Sequence, residues 1–306
     1  MSGAHLPVDD VAVTIGGRPA RVVFAAPTRL VVTVPSGLDG GRAPIRVSGL
    51  PRETVYVDVG VLAATGLHQV DSPVFDRDGN LFVTYSGARG QECPVSVFRV
   101  TPSGSRDAFV SGIVNATSMT MGPDGRLYVS SRFAGAVYRI DERGRHERVA
   151  GELGVACGIV FDREGRLYVG DRAGTIFRVI GSDVHPFASI PASVAAFHLA
   201  MSPTGDLFVT GPTLGTRDPI YRIDSEGCVD TLPASFGRPQ GLACGPDGAL
   251  YVVDALAGIS GLYRVDGSGR PPELVVSGPS MIGVAFGPSG QLAVASSDSL
   301  YVFDDR

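Results

Sequence analysis

The chain has 306 residues, 44% hydrophobic and 19% charged, which excludes a disordered polymer and allows one large domain with a small one beside it. A net charge of -5, with no run rich in Lys or Arg, offers no basic face to a phosphate backbone and excludes nucleic acid as the expected partner. No stretch reaches the length of a membrane span, and the opening Met1-Ser2-Gly3-Ala4-His5 lacks the marks of a secretory leader, so the expected setting is cytoplasmic, without a membrane partner.

Residues 1–53 come first as a small β-domain. VAVTIGGRPARVVFAAPTRLVVTVPSGLDGGRAPIRVSG reads as four short strands joined by Gly-rich turns. Residues 54–306 follow a different rule, because one phrase recurs through them. It stands as FDRDGNLFVT, MGPDGRLYVS, FDREGRLYVG, MSPTGDLFVT, CGPDGALYVV and FGPSGQLAVA, with turn glycines at Gly79, Gly125, Gly165, Gly205, Gly248 and Gly290. A repeat of roughly 40–45 residues is the period of a four-stranded propeller blade. The fold class expected is therefore all-β, a six-bladed β-propeller preceded by a small immunoglobulin-like segment.

Each copy predicts the same four strands. A short apolar run gives the inner strand, a Pro-Asp-Gly-like turn reverses the chain, and an alternating run such as RLYVGD returns as the second strand. VFRV, VYRI, IFRV, IYRI, LYRV and LYVF supply the third, and segments such as AFVSGI and HPFASI the fourth. The recurring aromatics Phe82, Tyr128, Tyr168, Phe208 and Tyr251 read as packing between blades, and Arg99, Arg139, Arg178, Arg222 and Arg264 as structural. The sixth copy stops after its third strand. VLAATGL, at about 61–67, resembles AFVSGI in position and pattern, and supplies the missing fourth strand, closing the ring. The scattered cysteines Cys93, Cys157, Cys228 and Cys244 form no CxxC pair, and Cys157 and Cys244 read as buried thiols.

Propeller geometry puts the residues eight before each turn glycine at one channel mouth: Asp71, Thr117, Cys157, Phe197, Gln240 and Ile282. Those six after it, Tyr85, Ser131, Asp171, Gly211, Asp254 and Ser296, open loops on the same face. Asp71 can bind a cation or accept a proton, or cap its own turn. His198 is the one histidine within an inner-strand phrase, a candidate proton carrier or a satisfied core residue. Arg132 and Arg172, each seven residues past a turn glycine in neighbouring repeats, can clamp a carboxylate or pair with Asp171. Tyr85 and Gln240 complete the candidate substrate-binding set. There is no GxSxG elbow, HExxH pair, phosphate loop or dinucleotide fingerprint, hence no organic cofactor is expected.

The repeat phrase resembles both NHL-repeat propellers and the regucalcin/gluconolactonase-like hydrolases, over residues 61–306. In the second family blade one opens with Glu-Gly-Pro-Val-Trp, where this chain has Asp71-Ser72-Pro73-Val74-Phe75. The resemblance implies a metal-dependent hydrolase of lactone-type esters holding a divalent cation, calcium first. Asp71 would stand at the family's metal-binding glutamate, and Gln240, Asp171 and Asp254 are the remaining candidate ligands. The family's Asn-Gly ligand position falls on Phe197-His198 and its Asp-Gly on Gln240-Gly241, so the ligand set is broken. IGGRPARVV and TRLVVTVP resemble the second half of a TIG/IPT domain. The competing reading is a non-catalytic NHL-like propeller that uses the same mouth to bind a small ligand or a protein.

Overall fold

A computed structural model describes residue 6, residues 10–50 and residues 55–303. No helix is present among the described residues, and none is long and apolar enough to cross a membrane. The chain divides into two compact units, Met1–Leu62 with Val302–Asp304, and Ala63–Tyr301 with Asp305–Arg306. The boundary expected after residue 53 falls at residues 51–54, outside the described residues.

In the first unit, Arg18–Ala20, Val13–Ile15, Gly41–Val47 and Val55–Val59 form an antiparallel sheet in that order. Val55–Val59 pairs with Gly41–Val47, so this sheet runs on to residue 59. Val22–Ala26 and Arg29–Val32 make a separate hairpin. Val13, Ile15, Leu30, Ala43 and Ile45 form its small core. Its strands outnumber the four expected because RPA is too short and polar to register as an apolar run and VYVDV lies beyond the boundary expected at residue 53.

The second unit is a succession of four-stranded antiparallel sheets, the arrangement of a β-propeller. The first sheet comprises Val74–Phe75, Leu81–Thr84, Val97–Val100 and Arg106–Val110. The second comprises Ala116–Met121, Leu127–Ser131, Ala136–Ile140 and His146–Ala150. Ala156–Phe161, Leu167–Asp171, Thr175–Ile180 and Asp183–Ser189 make the third. The fourth runs through His198–Met201, Leu207–Thr210, Asp218–Ile223 and Val229–Phe236. Pro239–Cys244, Leu250–Asp254, Gly261–Val265 and Glu273–Ser277 make the fifth. The last joins Met281–Phe286, Leu292–Ser296 and Ser299–Phe303 to Val61–Thr65 from the other end of the chain. First strands of successive sheets are neighbours, and Met281–Phe286 also contacts Val74–Phe75.

The turns explain the repeat phrase. Asp76 Oδ1 accepts the amides of Asp78 and Asn80, while Gly79 donates its amide to the Asp76 carbonyl at φ 80°. An L side chain resists that backbone conformation, which is why glycine recurs there. Between sheets the aromatics pack edge-on, Tyr128 against Phe161 at 4.8 Å and Tyr251 against Phe286 at 4.8 Å. The third-strand arginines are held locally: Arg139 by Glu147 at 2.8 Å, Arg222 by Asp206 at 3.0 Å, Arg264 by Asp247 at 2.7 Å, and Arg178 over the Phe187 ring.

Candidate functional site

The inner strands approach so closely at one register that few side chains fit. Seven residues before each turn glycine stand Ser72, Ser118, Gly158, His198, Gly241 and Gly283. A Cβ on Gly158 would lie 2.7 Å from the Phe197 carbonyl oxygen, and one on Gly241 would lie 2.5 Å from Ser72 Oγ. One on Gly283 would meet Ser72 Cα and, at 2.8 Å, the Asp71 carbonyl oxygen. His198 is the exception in this small-residue register, and its imidazole takes up the space the others leave. Pairing also differs there. The first strands of the second, third, fifth and sixth sheets slip register around this position, whereas His198 pairs regularly with Thr210.

His198 reaches Asp71. The two are 127 residues apart in sequence, and Nδ1 lies 2.6 Å from Asp71 Oδ1. The same oxygen accepts the Ser72 amide at 2.6 Å, and Gln69 Nε2 donates to the Asp71 carbonyl oxygen at 2.6 Å. An oxygen already accepting a backbone N–H serves as acceptor for the imidazole too, so Nδ1 carries the hydrogen and Nε2 is left with its lone pair. His198 is 0% exposed, Asp71 4%, and Nε2 has no hydrogen-bond partner among the described residues. Gln69 Oε1 and Ser86 Oγ are likewise buried and unpartnered. The two carboxylate and imidazole candidates of the sequence are thus one dyad.

Cys157 lies within electrostatic reach of the dyad. Burial pushes its thiol up to about 11, a hydrogen bond to the Phe197 backbone opposes that, and the Asp71 charge adds to it. Arg132 and Arg172 act on the same thiol in the lowering direction. Burial lowers the Arg132 guanidinium from its ordinary value, and the charges of Arg172 and Arg89 lower it further. Neither Arg132 nor Arg172 forms an ion pair among the described residues, so the expected pairing with Asp171 is not formed.

Asp171 instead accepts the amides of Val155 and Ala173, and Asp254 those of Gly237, Arg238 and Leu256. Each carboxylate ties its own loop to the loop that precedes the inner strand. Gln240 is 9% exposed, and its carbonyl accepts Thr210 Oγ1 at 2.5 Å. Tyr85 packs edge-on to His68 and Phe98, with ring centroids 6.0 and 6.2 Å away. Among the described residues no three His, Cys, Asp or Glu side chains gather to hold a metal ion. A hard divalent ion needs about six to eight oxygens gathered around it; here Asp71 Oδ1 is held by His198 and Ser72, Asp171 Oδ1 by two amides, and both oxygens of Asp254 by three amides. Among the described residues the four candidate ligands are not gathered into a cluster of the kind that the cation implied by the family resemblance needs.

Sequence reasoning missed Gln69, Asn115 and Arg89. Asn115, 1% exposed and at φ 50°, donates Nδ2 to the Ser86 and Ala88 carbonyls at 2.5 and 2.8 Å and accepts the Gly90 amide at 2.7 Å. None of the three stands at a register counted from a turn glycine. A surface hollow of about 600 Å³, lined by Arg148, Glu152, Phe177 and His185, includes neither member of the dyad.

No family model matches the chain. It is 30% identical to the pentonolactonase XacC of Haloferax volcanii over 122 residues, 38% of this chain and 41% of that protein. The chain thus aligns with less than half the length of that curated relative. Its fold is similar to that of a gluconolactonase from Xanthomonas campestris, with a TM-score of 0.68 at 14% identity over 99% of this chain and 98% of the other. It is also similar to a catalytically inactive histidine-to-alanine variant of virginiamycin B lyase from Staphylococcus aureus solved with quinupristin. That match has a TM-score of 0.55 at 16% identity, over 76% and 78% of the two chains. At such identities the likeness is one of fold.

Proposed function

We propose that this chain is a lactonase-type hydrolase built on a closed six-bladed propeller, with His198 as general base and Asp71 as the group that orients it. The observation that carries the reading is the buried His198 Nδ1–Asp71 Oδ1 contact of 2.6 Å, with Nε2 left unpartnered. The cyclic neighbourhood of the inner strands supports the ring. The lactonase names of the partial relative and of the Xanthomonas fold neighbour support the reaction class. The N-terminal unit, TIG/IPT-like in sequence, would serve as a spacer or cap.

The chemistry follows from the tautomer. Nε2 takes a proton from water as the water oxygen attacks the lactone carbonyl carbon. Imidazolium forms beside the Asp71 carboxylate, which stabilises it. As the tetrahedral intermediate collapses, the bond from carbonyl carbon to ring oxygen breaks and the ring oxygen takes the proton from Nε2. One water is consumed and a hydroxy acid is released. No step is routed through a metal, because no three metal-ligating side chains gather among the described residues. Substrate reaches Nε2 only when the mouth opens, since the imidazole is fully covered in this structure.

That burial favours a second reading, a non-catalytic binding propeller in which the dyad is an axial strut between the first and fourth sheets. Replacing Asp71 by Asn separates the two. Loss of lactone turnover in a folded variant supports the hydrolase. Unchanged turnover, or none in either protein over a panel of five- and six-membered sugar lactones, leaves the strut.

A further inference from the structure

The charged side chains of the mouth are unequally partnered. Arg89, Arg132 and Arg172 occupy the same connection, second strand to third, in three consecutive sheets. None of the three forms an ion pair among the described residues, while the arginines at 139, 145, 166, 222 and 264 all do. The backbone beneath each is fixed. Asn115 clamps residues 86–90 around Arg89. Ser131 Oγ donates to the Val114 carbonyl at 2.6 Å and accepts the Ala134 amide at 3.0 Å, holding the turn of Arg132. The Arg172 amide donates to Val155 and its carbonyl accepts Ser193.

The loops also meet. A Cβ on Gly90 would lie 3.1 Å from the Phe133 ring, so the Arg89 loop sits against the residue that follows Arg132. Arg132 follows Ser131, which holds the Val114 carbonyl, and Arg172 donates its own amide to Val155, so both residues stand at the end of the fold where the inner strands begin, as Asp71 does. Among the described residues no ion pair joins Asp71, Asp171, Glu92 or Glu152 to any of the three. Holding like charges on fixed backbone costs free energy that an anion between them offsets.

We propose that Arg89, Arg132 and Arg172 form an anion cradle, and that the substrate is a sugar lactone carrying a carboxylate or phosphate remote from its ring carbonyl. The lactone half rests on the hydrolase reading above; the anion half does not. The cradle would fix the far end of the ligand, and the dyad would act on the ring.

The test has a binding arm and a kinetic arm. Calorimetry compares glucarate and 6-phosphogluconate with the neutral polyol glucitol. Turnover compares glucaro-1,4-lactone and 6-phosphoglucono-lactone with glucono-δ-lactone. The expected result is that one anionic series binds at least about tenfold more tightly than glucitol, with kcat/KM favouring the matching lactone by a similar factor. The series preferred tells carboxylate from phosphate. Arg132→Ala and Arg172→Ala should each remove most of the preference, while Arg132→Lys keeps part of it and leaves the melting temperature unchanged. Arg-dependent anion binding without any turnover would sink the hydrolase reading and leave the cradle standing. Turnover of all three lactones at equal kcat/KM, unaffected by the arginine substitutions, would overturn the cradle and spare the hydrolase.

Discussion

Asp71→Asn is the most informative single change. Asp71 Oδ1 accepts two bonds, from His198 Nδ1 and from the Ser72 amide, each 2.6 Å long. An asparagine carbonyl oxygen has the same shape and can keep both, so the loss is the charge assistance. Charge-assisted bonds contribute about 1.5–3 kcal/mol and neutral ones about 0.5–1.5, a loss of about 1–1.5 for each bond, which puts the destabilisation near about 2–3 kcal/mol for the two. Turnover suffers more, because a neutral amide does not stabilise the imidazolium and can present its NH2 to Nδ1, moving the ring hydrogen to Nε2. General-base catalysis contributes about 10²–10⁴ in rate, and kcat should fall by that factor with KM little changed. Urea unfolding followed by intrinsic tyrosine fluorescence gives the first number, and pH-stat titration of released acid gives the second. A fall in stability above about 3 kcal/mol with turnover intact would refute the catalytic argument and identify the dyad as a strut.

Further outcomes are expected. Dialysis against a chelator should leave lactone turnover unchanged, and calorimetry should detect no calcium binding, since no three metal-ligating side chains gather among the described residues; a chelator-sensitive activity restored by calcium would contradict this. The Cys157 thiol is raised by burial from 9.0 to about 11, so the folded state holds its proton more tightly than the unfolded one. Its contribution is complete below pH 9 and is lost as pH rises towards 11, about 3 kcal/mol at ~1.4 kcal/mol for each unit between the two values. Cys157→Ala should therefore flatten the alkaline limb of the stability curve, and a limb as steep as before would assign it elsewhere. Gly283→Ala should cost about 1–3 kcal/mol, because the new Cβ meets Ser72 and the Asp71 carbonyl; an unaltered melting temperature would show that the inner strands can move apart. Deleting residues 1–66 removes Val61–Thr65 and leaves the Ser299–Phe303 edge open, so that variant should aggregate where a deletion of 1–58 does not.

Much of the fold was legible because its physics repeats. Each reversal needs a residue at positive φ, and a glycine every forty-odd residues announces it; Gly79, Gly125, Gly165, Gly205, Gly248 and Gly290 all adopt that conformation. The fourth strand of the last sheet was legible for a related reason, since an unpaired edge demands a partner and VLAATGL has the pattern of one. The site was legible only in part. Asp71 and His198 could be singled out as chemistry-bearing residues at inner strands, but their contact spans 127 residues and two registers, and periodicity encodes no distance across an axis. The same limit applies to Asp171 and Asp254: at the mouth an aspartate facing a ligand and one capping a loop have identical spacing, and the caps on Val155, Ala173, Gly237, Arg238 and Leu256 became visible only in the structure.

One signal was present and unused. Counting seven residues back from each turn glycine yields Ser, Ser, Gly, His, Gly and Gly, five residues small enough for crowded inner strands and one that is not. Packing alone would disfavour an imidazole there, because a buried nitrogen without a partner costs about 1–3 kcal/mol. A polar ring kept where five repeats keep Ser or Gly must recover that cost, either through the Asp71 contact as a strut or through a ligand at Nε2. The strut accounts for Nδ1 alone, and a water or a substrate oxygen at Nε2 completes the ring in either reading. What places the proposed chemistry on His198 is its carboxylate partner, because among the described residues this is the one imidazole of an inner strand whose ring nitrogen meets an aspartate.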